Sequence, residues 1–332
     1  MLNLKASVWA WLGLLMLSGF ASAEEVKFCV WDPVGANGPI MAELKDTEIK
    51  AITWGIHFKL VAYTDESVAA NDFRAGICDA VFLSAMLAMD FVPVAGTLDA
   101  VGGTQSEEEL KALLATLSTS KANALVSHND YEIGAIYPVG SVYLFVNDRS
   151  KVRVSDLGGR RLSILNGDVA FIKMAELVGA AQVPTTLTTS PGMFNNGNLD
   201  VYGAVALSYD TFELYNGLGT QGGVIDYRIQ YALMNAVIRR SKFPPEFGAK
   251  MRTDSFNRFS ELQKMVEEAE KNIPGKHWIH LDKAARNEYD QLMHDIRVSL
   301  GKEGLYDNRA LKLQWKIRCK FNPTRAECAQ FE

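Results

Sequence analysis

Residues 28–40, FCVWDPVGANGPI, constrain the fold more than any other stretch of the chain. Phe28, Cys29, Val30 and Trp31 form a short apolar run of the kind that makes a buried strand. Asp32-Pro33 cannot continue a central strand, because proline has no N–H to give the ladder. Gly35, Asn37 and Gly38 permit a left-handed backbone and a close approach to a ligand, and Pro39 suits the first turn of a helix. The order is therefore strand, glycine-containing loop, helix N-terminus. In open α/β sheets ligands sit beyond the carboxyl ends of the strands. A helix N-terminus there offers free N–H groups and a partial positive charge. The same residues also make an ordinary strand-to-helix turn, and both readings stand at this point.

The pattern recurs at once. Residues 40–55 read as a helix running to a glycine stop, 57–63 as a strand, and 67–75 as a second helix ending at Gly76. Residues 78–83 then form a third strand, with Ser84 at its carboxyl end. Right-handed crossovers make this β-α-β-α-β run a parallel sheet. In the doubly wound order 2-1-3, the strand of Cys29 lies beside the strand of Cys78. The cysteines are Cys29, Cys78, Cys319 and Cys328. An even count in an exported protein suggests disulfides, here Cys29–Cys78 and Cys319–Cys328. Four unpaired buried thiols are the alternative. There is no CxxC, and the scattered spacing does not resemble a zinc site.

Export itself is read from the N-terminus. Lys5 precedes an apolar core over 8–20, and Ala21-Ser22-Ala23 is a small-residue cleavage site before Glu24-Glu25. This is a secretory signal peptide with cleavage after Ala23, since the apolar run falls short of the ~20 residues a membrane span needs. A mature chain of this length exceeds the ~250 residues at which one core stops growing, so two lobes are expected. A net charge of −5 with no basic block argues against nucleic acid as a partner.

Further along, 107–117 reads as an exposed helix and 124–127 as a short strand. Residues 135–146, AIYPVGSVYLFV, hold a Pro-Val-Gly break and a long strand that leaves the first lobe. A second strand-loop-helix unit follows: strand 160–165, turn Asn166-Gly167-Asp168, and helix 169–179 with Asp168 as its cap. Residues 199–207 are another strand, with Ser208-Tyr209 just past it, and the apolar run 224–238 crosses back between the lobes. Helices over 254–272, 282–300 and 308–318 carry charged faces and pack outside. The divisions are 1–23 signal peptide, 24–140 first lobe, 141–230 second lobe, and 231–332 return crossover with C-terminal helices.

Three segments carry a family resemblance. Residues 73–80, FRAGICDA, make a helix, glycine, aspartate, strand junction; 154–162, VSDLGGRRL, is similar to a D-L-K-G-K-K-I entry to a second lobe; and 197–202, GNLDVY, is similar to a G-x-V-D-G strand. In this order the segments resemble the type 2 periplasmic solute-binding proteins, and within them the receptors of tripartite ATP-independent periplasmic (TRAP) transporters. The resemblance implies an α/β fold of two doubly wound lobes joined by crossover strands. It also implies a periplasmic location, a small-molecule solute, membrane transporter subunits as partners, and no cofactor. The chain as a whole also resembles AdeT-type proteins, solute-binding-like proteins that carry an efflux label. One departure bears on the ligand. TRAP receptors clamp the solute carboxylate with an arginine on the strand after the D-L-K-G entry, and the matching position here is Ser163. A hydroxyl cannot make the bidentate charged pair that a guanidinium makes. Arg161, two residues away on the same strand face, is a possible substitute, and Arg228 is another source of charge.

The candidate ligand-binding residues are Trp31 as an apolar wall, Asp32 as an acceptor for an amine or hydroxyl, and Asn37 in the glycine-containing loop. Ser84, Ser163, Asn166 and Tyr209 stand on or after strands of the two lobes, where convergent polar groups orient a ligand. Tyr137 and Tyr227 lie near the crossovers, and Arg161 completes the set. Core packing and turn capping account for the same residue types. The run 217–222, GLGTQG, matches GxGxxG but lacks the strand before and helix after that a dinucleotide site needs. No nucleophile elbow appears, and His277, His280 and His294 have no carboxylate pattern that would make a metal site. The expected mechanism is capture between closing lobes. An accessory protein of an envelope or drug-efflux assembly and an exported enzyme on the same fold are the alternatives.

Overall fold

A computed structural model describes residues 24–329 and 331; the signal-peptide segment 1–23 lies outside them. The first lobe opens as the apolar runs dictate. β1 (Glu24–Trp31), α1 (Pro39–Thr53), β2 (Ile56–Tyr63), α2 (Glu66–Arg74) and β3 (Ala80–Ser84) follow in order. β1 lies between β2 and β3 and is parallel to both. Cys29 is bonded to Cys78, which just precedes β3. α3 (Ala85–Ala88) and α4 (Ala95–Leu98) are single turns, and α5 (Glu107–Leu117) is a full helix whose Ser106 cap accepts from Glu109 N at 3.2 Å. The strand expected over 124–127 shrinks to β4 (Ser127–His128), because the N–H groups of Leu125 and Val126 turn back to Ala122 O.

β5 (Tyr131–Val146) then leaves the first lobe. The second lobe holds β6 (Arg161–Leu165), α6 (Val169–Val178), β7 (Ala181–Thr185), α7 (Ser190–Asn195), β8 (Val201–Val205), α8 (Ser208–Thr211) and α9 (Tyr215–Leu218). The apolar run over 224–238 is not one strand. It divides into β9 (Gly223–Ile225) and β10 (Gln230–Arg239), separated by a tight turn in which Tyr227 N bonds Ile225 O. The GxGxxG run spans the end of α9 and the turn into β9, with no helix after it.

The strands form one sheet in the order β2-β1-β3-β10-β5-β8-β6-β7. β5 and β10 are the joint. They run antiparallel to each other from the Gln230–Val142 pair to the Arg239–Tyr131 pair. β10 pairs β3 on one side, and β5 pairs β8 on the other. Each half of the sheet has a core on both faces. Val81, Leu83, Phe73 and Leu233 fill one face of the first half, and Phe28, Phe58, Ala236 and Phe247 fill the other. Leu144, Ile164 and Tyr289, and on the opposite face Phe145, Tyr202 and Leu214, do the same for the second. These are two α/β lobes with two shared long strands, the architecture of a type 2 periplasmic binding protein.

The C-terminal helices tie the lobes together. The helix expected over 254–272 starts earlier and breaks at Arg258 into α10 (Phe247–Asn257) and α11 (Phe259–Asn272), which pack across β5. After β11 (Trp278–Ile279), α12 (Lys283–Lys302) lies on α6 and α13 (Asn308–Phe321) on α5. Tyr289, Ile296 and Leu300 of α12 enter the second-lobe core, and Ala310 and Ile317 of α13 enter the first. Cys319 and Cys328 are bonded beyond them. Among the described residues no helix is long and apolar enough to cross a membrane.

Candidate functional site

The carboxyl ends of β3 and β6 face each other from opposite lobes, and a small cavity lies where they meet. Met86 and Met89 enter it from the α3 segment, and Gly96 and Asp99 from the α4 segment. Gly167, Asp168, Val169 and Ala170 close it from the β6–α6 turn, Gln230 from the start of β10, and Tyr306 from the link between α12 and α13. It has about 30 Å³ of room for the centres of water molecules, enough for about two waters.

Each wall has a local cause. Gly167 sits at φ 84°, a conformation that only glycine adopts without strain, so the chain turns sharply out of β6. That turn presents Asp168, whose Oδ1 accepts from Phe171 N at 3.0 Å and caps α6. Asp99 is held from outside the first lobe. Gln314 of α13 donates from Nε2 to the carbonyls of Thr97 and Leu98, both at 2.9 Å, and Asp307 N donates to Thr97 Oγ1 at 2.8 Å. Gly102 N donates to Ile229 O at 2.7 Å, joining the same loop to the crossover strand. Burial pushes the Asp168 carboxyl up to about 6. Burial, and then the Asp168 charge, push the Asp99 carboxyl well above its ordinary range. Burial likewise drives the Tyr306 phenol upward. Gln230 Oε1 is buried at the cavity without a hydrogen-bond partner.

None of the ten residues singled out from the sequence lines this cavity, although Asn166 immediately precedes Gly167 and Ser84 stands two residues before Met86. Asp32 was expected to accept from a ligand. Its side chain is fully buried and serves the backbone: Oδ1 accepts from Val34 N at 2.9 Å, and Oδ2 from Ile40 N at 2.9 Å and Met41 N at 3.0 Å. The helix N-terminus beyond β1 is therefore occupied by the chain's own carboxylate. A Cβ at Gly38 would lie 2.0 Å from Asp32 Oδ1, so this glycine makes room for the aspartate. Trp31 is half-buried against the first-lobe core, and Asn37 is exposed.

Arg161, the proposed substitute for the family's arginine, is committed to Asp200. Its Nε donates to Oδ2 at 3.0 Å and its Nη2 to Oδ1 at 2.7 Å, while a further Nη2 bond reaches Gly197 O at 2.8 Å. The Arg161 guanidinium holds the Asp200 carboxyl well below the usual range. Ser163 is buried, with its hydroxyl 2.7 Å from Thr185 Oγ1 across β6 and β7. Tyr137 is buried 3.3 Å from Thr47 Oγ1, and Tyr209 lies 3.4 Å from His277 Nδ1. Tyr227 donates to Asp290 Oδ1 at 2.7 Å and accepts from Gln105 Nε2 at 2.8 Å. Asn166 is exposed at the turn before Gly167. Arg228 braces the joint: its Nε donates to Ser141 Oγ at 2.7 Å, its guanidinium lies 4.6 Å from the Tyr231 ring centre, and Glu270 Oε1 is 3.6 Å away.

Sequence reasoning read Asp168 only as a cap and left Asp99 unread. The available signal was a carboxylate inside the apolar stretch over 91–101, since an acid in such a run is rarely buried without a purpose.

Four likenesses relate the chain to known proteins. The family model described as "Solute-binding protein AdeT 1/2" matches residues 45–332. The probable solute-binding protein AdeT1 of Acinetobacter baumannii is 33% identical over 300 residues, covering 90% of this chain and 99% of the relative. A TRAP periplasmic solute-binding protein from Ralstonia eutropha with bound (S)-2-acetolactate superposes with a TM-score of 0.70 at 16% identity, covering 88% of this chain and 98% of that one. One from Desulfovibrio desulfuricans with bound sn-glycerol-3-phosphate also gives 0.70, at 15% identity, covering 89% and 97%. The structural likenesses share the fold.

Proposed function

The chain belongs to the AdeT 1/2 solute-binding protein family, and from that premise we propose that it is a periplasmic receptor. It captures a small molecule between its lobes and delivers it to membrane transporter subunits, without chemical turnover. The observation that carries this reading is the cavity itself, because its walls come from both lobes, from crossover strand β10 and from the α12–α13 link. A solute held there touches both lobes and so favours the closed state by its differential affinity.

In this reading the signal peptide 1–23 directs export. Residues 24–140 and 141–230 are the lobes, and 231–332 return to the first lobe and clamp both. Met86 and Met89 adapt to the solute, since thioether side chains fill irregular space at little cost. Ser84 and Asn166 stand at the margin of the seat.

Mature protein, unfolded and refolded to strip carried-over solute, would be screened by thermal shift and then by small-angle scattering. A solute that raises the melting temperature is expected to reduce the radius of gyration as well. Binding to the native state alone adds ~2.7 kcal/mol at a hundred times Kd. Identical scattering with and without a saturating solute would overturn capture by closure.

A further inference from the structure

We infer that the C-terminal segment 322–329 is a strap that holds the joint between the lobes in its closed arrangement, and that releasing it opens the lobes. This deepens the receptor reading and rests on it only for the effect on solute.

The strap starts from a covalent anchor. Cys328 is bonded to Cys319 of α13, which closes the chain over 319–328 back onto that helix. Trp315 Nε1 donates to Glu327 O at 2.8 Å and fixes the backbone of the same turn. Two side chains then leave the strap toward the joint. Glu327 accepts from Arg297 of α12 at 2.7 Å and from Arg318 of α13 at 2.8 Å. α12 lies on α6 of the second lobe and α13 on α5 of the first, so one carboxylate gathers a helix from each.

Arg325 reaches the joint by a shorter route. It donates from Nη2 to Gln105 Oε1, in the loop between α4 and α5. A guanidinium only donates, so the amide oxygen must face Arg325 and the amide nitrogen must face away. Gln105 Nε2 accordingly donates to the Tyr227 hydroxyl at 2.8 Å, and Tyr227 donates to Asp290 of α12 at 2.7 Å. The Gln105 carbonyl accepts from Arg228 Nη1, and Arg228 Nε donates to Ser141 Oγ on β5. Tyr227 and Arg228 belong to the link from β9 to β10. The strap therefore decides which way Gln105 presents its amide to the crossover.

The loop that receives the strap is shaped for it. Arg297 Nη1 donates to Val101 O at 3.0 Å, and Arg318 Nη1 to Gly103 O at 2.9 Å. A Cβ at Gly102 would lie 2.4 Å from Arg297 Nη1, and one at Gly103 would lie 2.9 Å from the Gln314 amide. Gly102 N donates to Ile229 O at 2.7 Å, just before β10. Both arginines are fully buried. Apolar side chains would pack the two helices as well, since a buried ion pair seldom adds stability over them. What the guanidiniums add is a set of directional bonds to the carbonyls of 101 and 103, aimed from the side where the tail carboxylate sits. In the arrangement described, the lobes meet around a cavity with room for about two waters, so the strap favours the closed form. Releasing it lowers the closed population, and apparent solute affinity falls with that population.

The test uses refolded, solute-free mature protein and three variants: Arg325→Met, Glu327→Gln, and Cys319→Ser combined with Cys328→Ser. Small-angle scattering should give each variant a larger radius of gyration than the wild type. Amide exchange in segments 99–105 and 226–231 should quicken by about tenfold or more, the size of one charge-assisted hydrogen bond. Strands β1 and β3 should keep wild-type protection, because the opening is local. Arg325 is half-buried and its replacement leaves the Glu327 pairs in place, so Arg325→Met reads the joint if another variant fails to fold. Unchanged scattering and exchange in Arg325→Met would overturn the strap. Exchange that quickens equally in β1 and β3 would overturn it too, since that is general destabilisation. A solute found by thermal shift should bind each variant more weakly than the wild type, and equal affinity would overturn the coupling of strap to closure. A screen in which no solute binds the wild type would overturn the receptor reading, and the solute-free scattering and exchange would still decide the strap.

Discussion

Arg318 donates from Nε to Glu327 Oε1 at 2.8 Å, and its side chain is fully buried. The same carboxylate accepts from Arg297 Nη2 at 2.7 Å on Oε2, so one acid from the C-terminal tail meets two arginines on different helices. Those arginines in turn donate to the carbonyls of Val101 and Gly103, in the loop that follows Asp99. A hydrogen bond to a charged group contributes about 1.5–3 kcal/mol, and Glu327 accepts such bonds from both arginines. Glu327→Gln is therefore expected to lower stability by about 3 kcal/mol in urea unfolding monitored by circular dichroism. A change under 0.5 kcal/mol would show that the arginines are satisfied without it.

The Cys319–Cys328 bond places Glu327 next to its own anchor. If the bond acts by holding that carboxylate in place, the losses from Cys328→Ser and Glu327→Gln are not additive. The double variant is expected to be less destabilised than the sum of the singles by about 1 kcal/mol or more, a size typical of residues in one network. Additive losses would mean that the bond acts through the unfolded chain alone.

Asp32→Ala removes the acceptor for three backbone N–H groups at the entry to α1. Caps contribute about 1 kcal/mol each, and buried unsatisfied donors cost about 1–3 kcal/mol. A loss of about 3 kcal/mol is expected, with solute affinity changed less than threefold, because the cavity residues are elsewhere. A large loss of affinity at unchanged stability would return Asp32 to the ligand.

The first lobe was legible because its elements are written locally. Alternating apolar runs and glycine stops mark β1 through β3, and the Cys29–Cys78 bond follows from their order. The site was harder to read for a physical reason. Asp32 and Arg161 advertise the same chemistry whether they serve a ligand or the protein, and only tertiary placement shows that backbone N–H groups and Asp200 claim them. Asp99 lay hidden in an apolar stretch whose pattern says "buried" and nothing about what it faces. Its neighbour in space, Asp168, belongs to the other lobe, and no spacing rule connects them.

Ser163→Arg places a guanidinium where the resemblance to TRAP receptors implies one. In this chain the position is buried on β6, with its hydroxyl against Thr185 of β7. An uncompensated buried charge costs several kcal/mol. The variant is expected to melt well below the wild type and to gain no affinity for n-butyrate or lactate in calorimetry. Carboxylate binding by a folded variant would show that the arginine alone separates this site from an anion receptor.

The pH dependence of stability tests the environment of the cavity acids. The Asp168 carboxyl is raised from 3.8 to about 6 by burial, and Asp99 is raised by burial and by Asp168. Tyr306 also faces the cavity and stays protonated throughout the range, and Arg297 acts on it from α12. A carboxyl raised on folding binds its proton more tightly in the folded state. Its contribution is then full below the unfolded value of 3.8 and is lost as pH rises through about 6. Asp200 has the opposite sign: depressed by Arg161, it contributes above 3.8 and loses that only in strong acid, so it adds no slope here. Going from about pH 7 to about pH 5, the melting temperature of the wild type should therefore rise relative to that of Asp99→Asn/Asp168→Asn. Thermal unfolding of both proteins across that window gives the difference directly. A difference that stays flat would mean that the two carboxyls titrate alike in the folded and unfolded chains, and that the cavity is open to water.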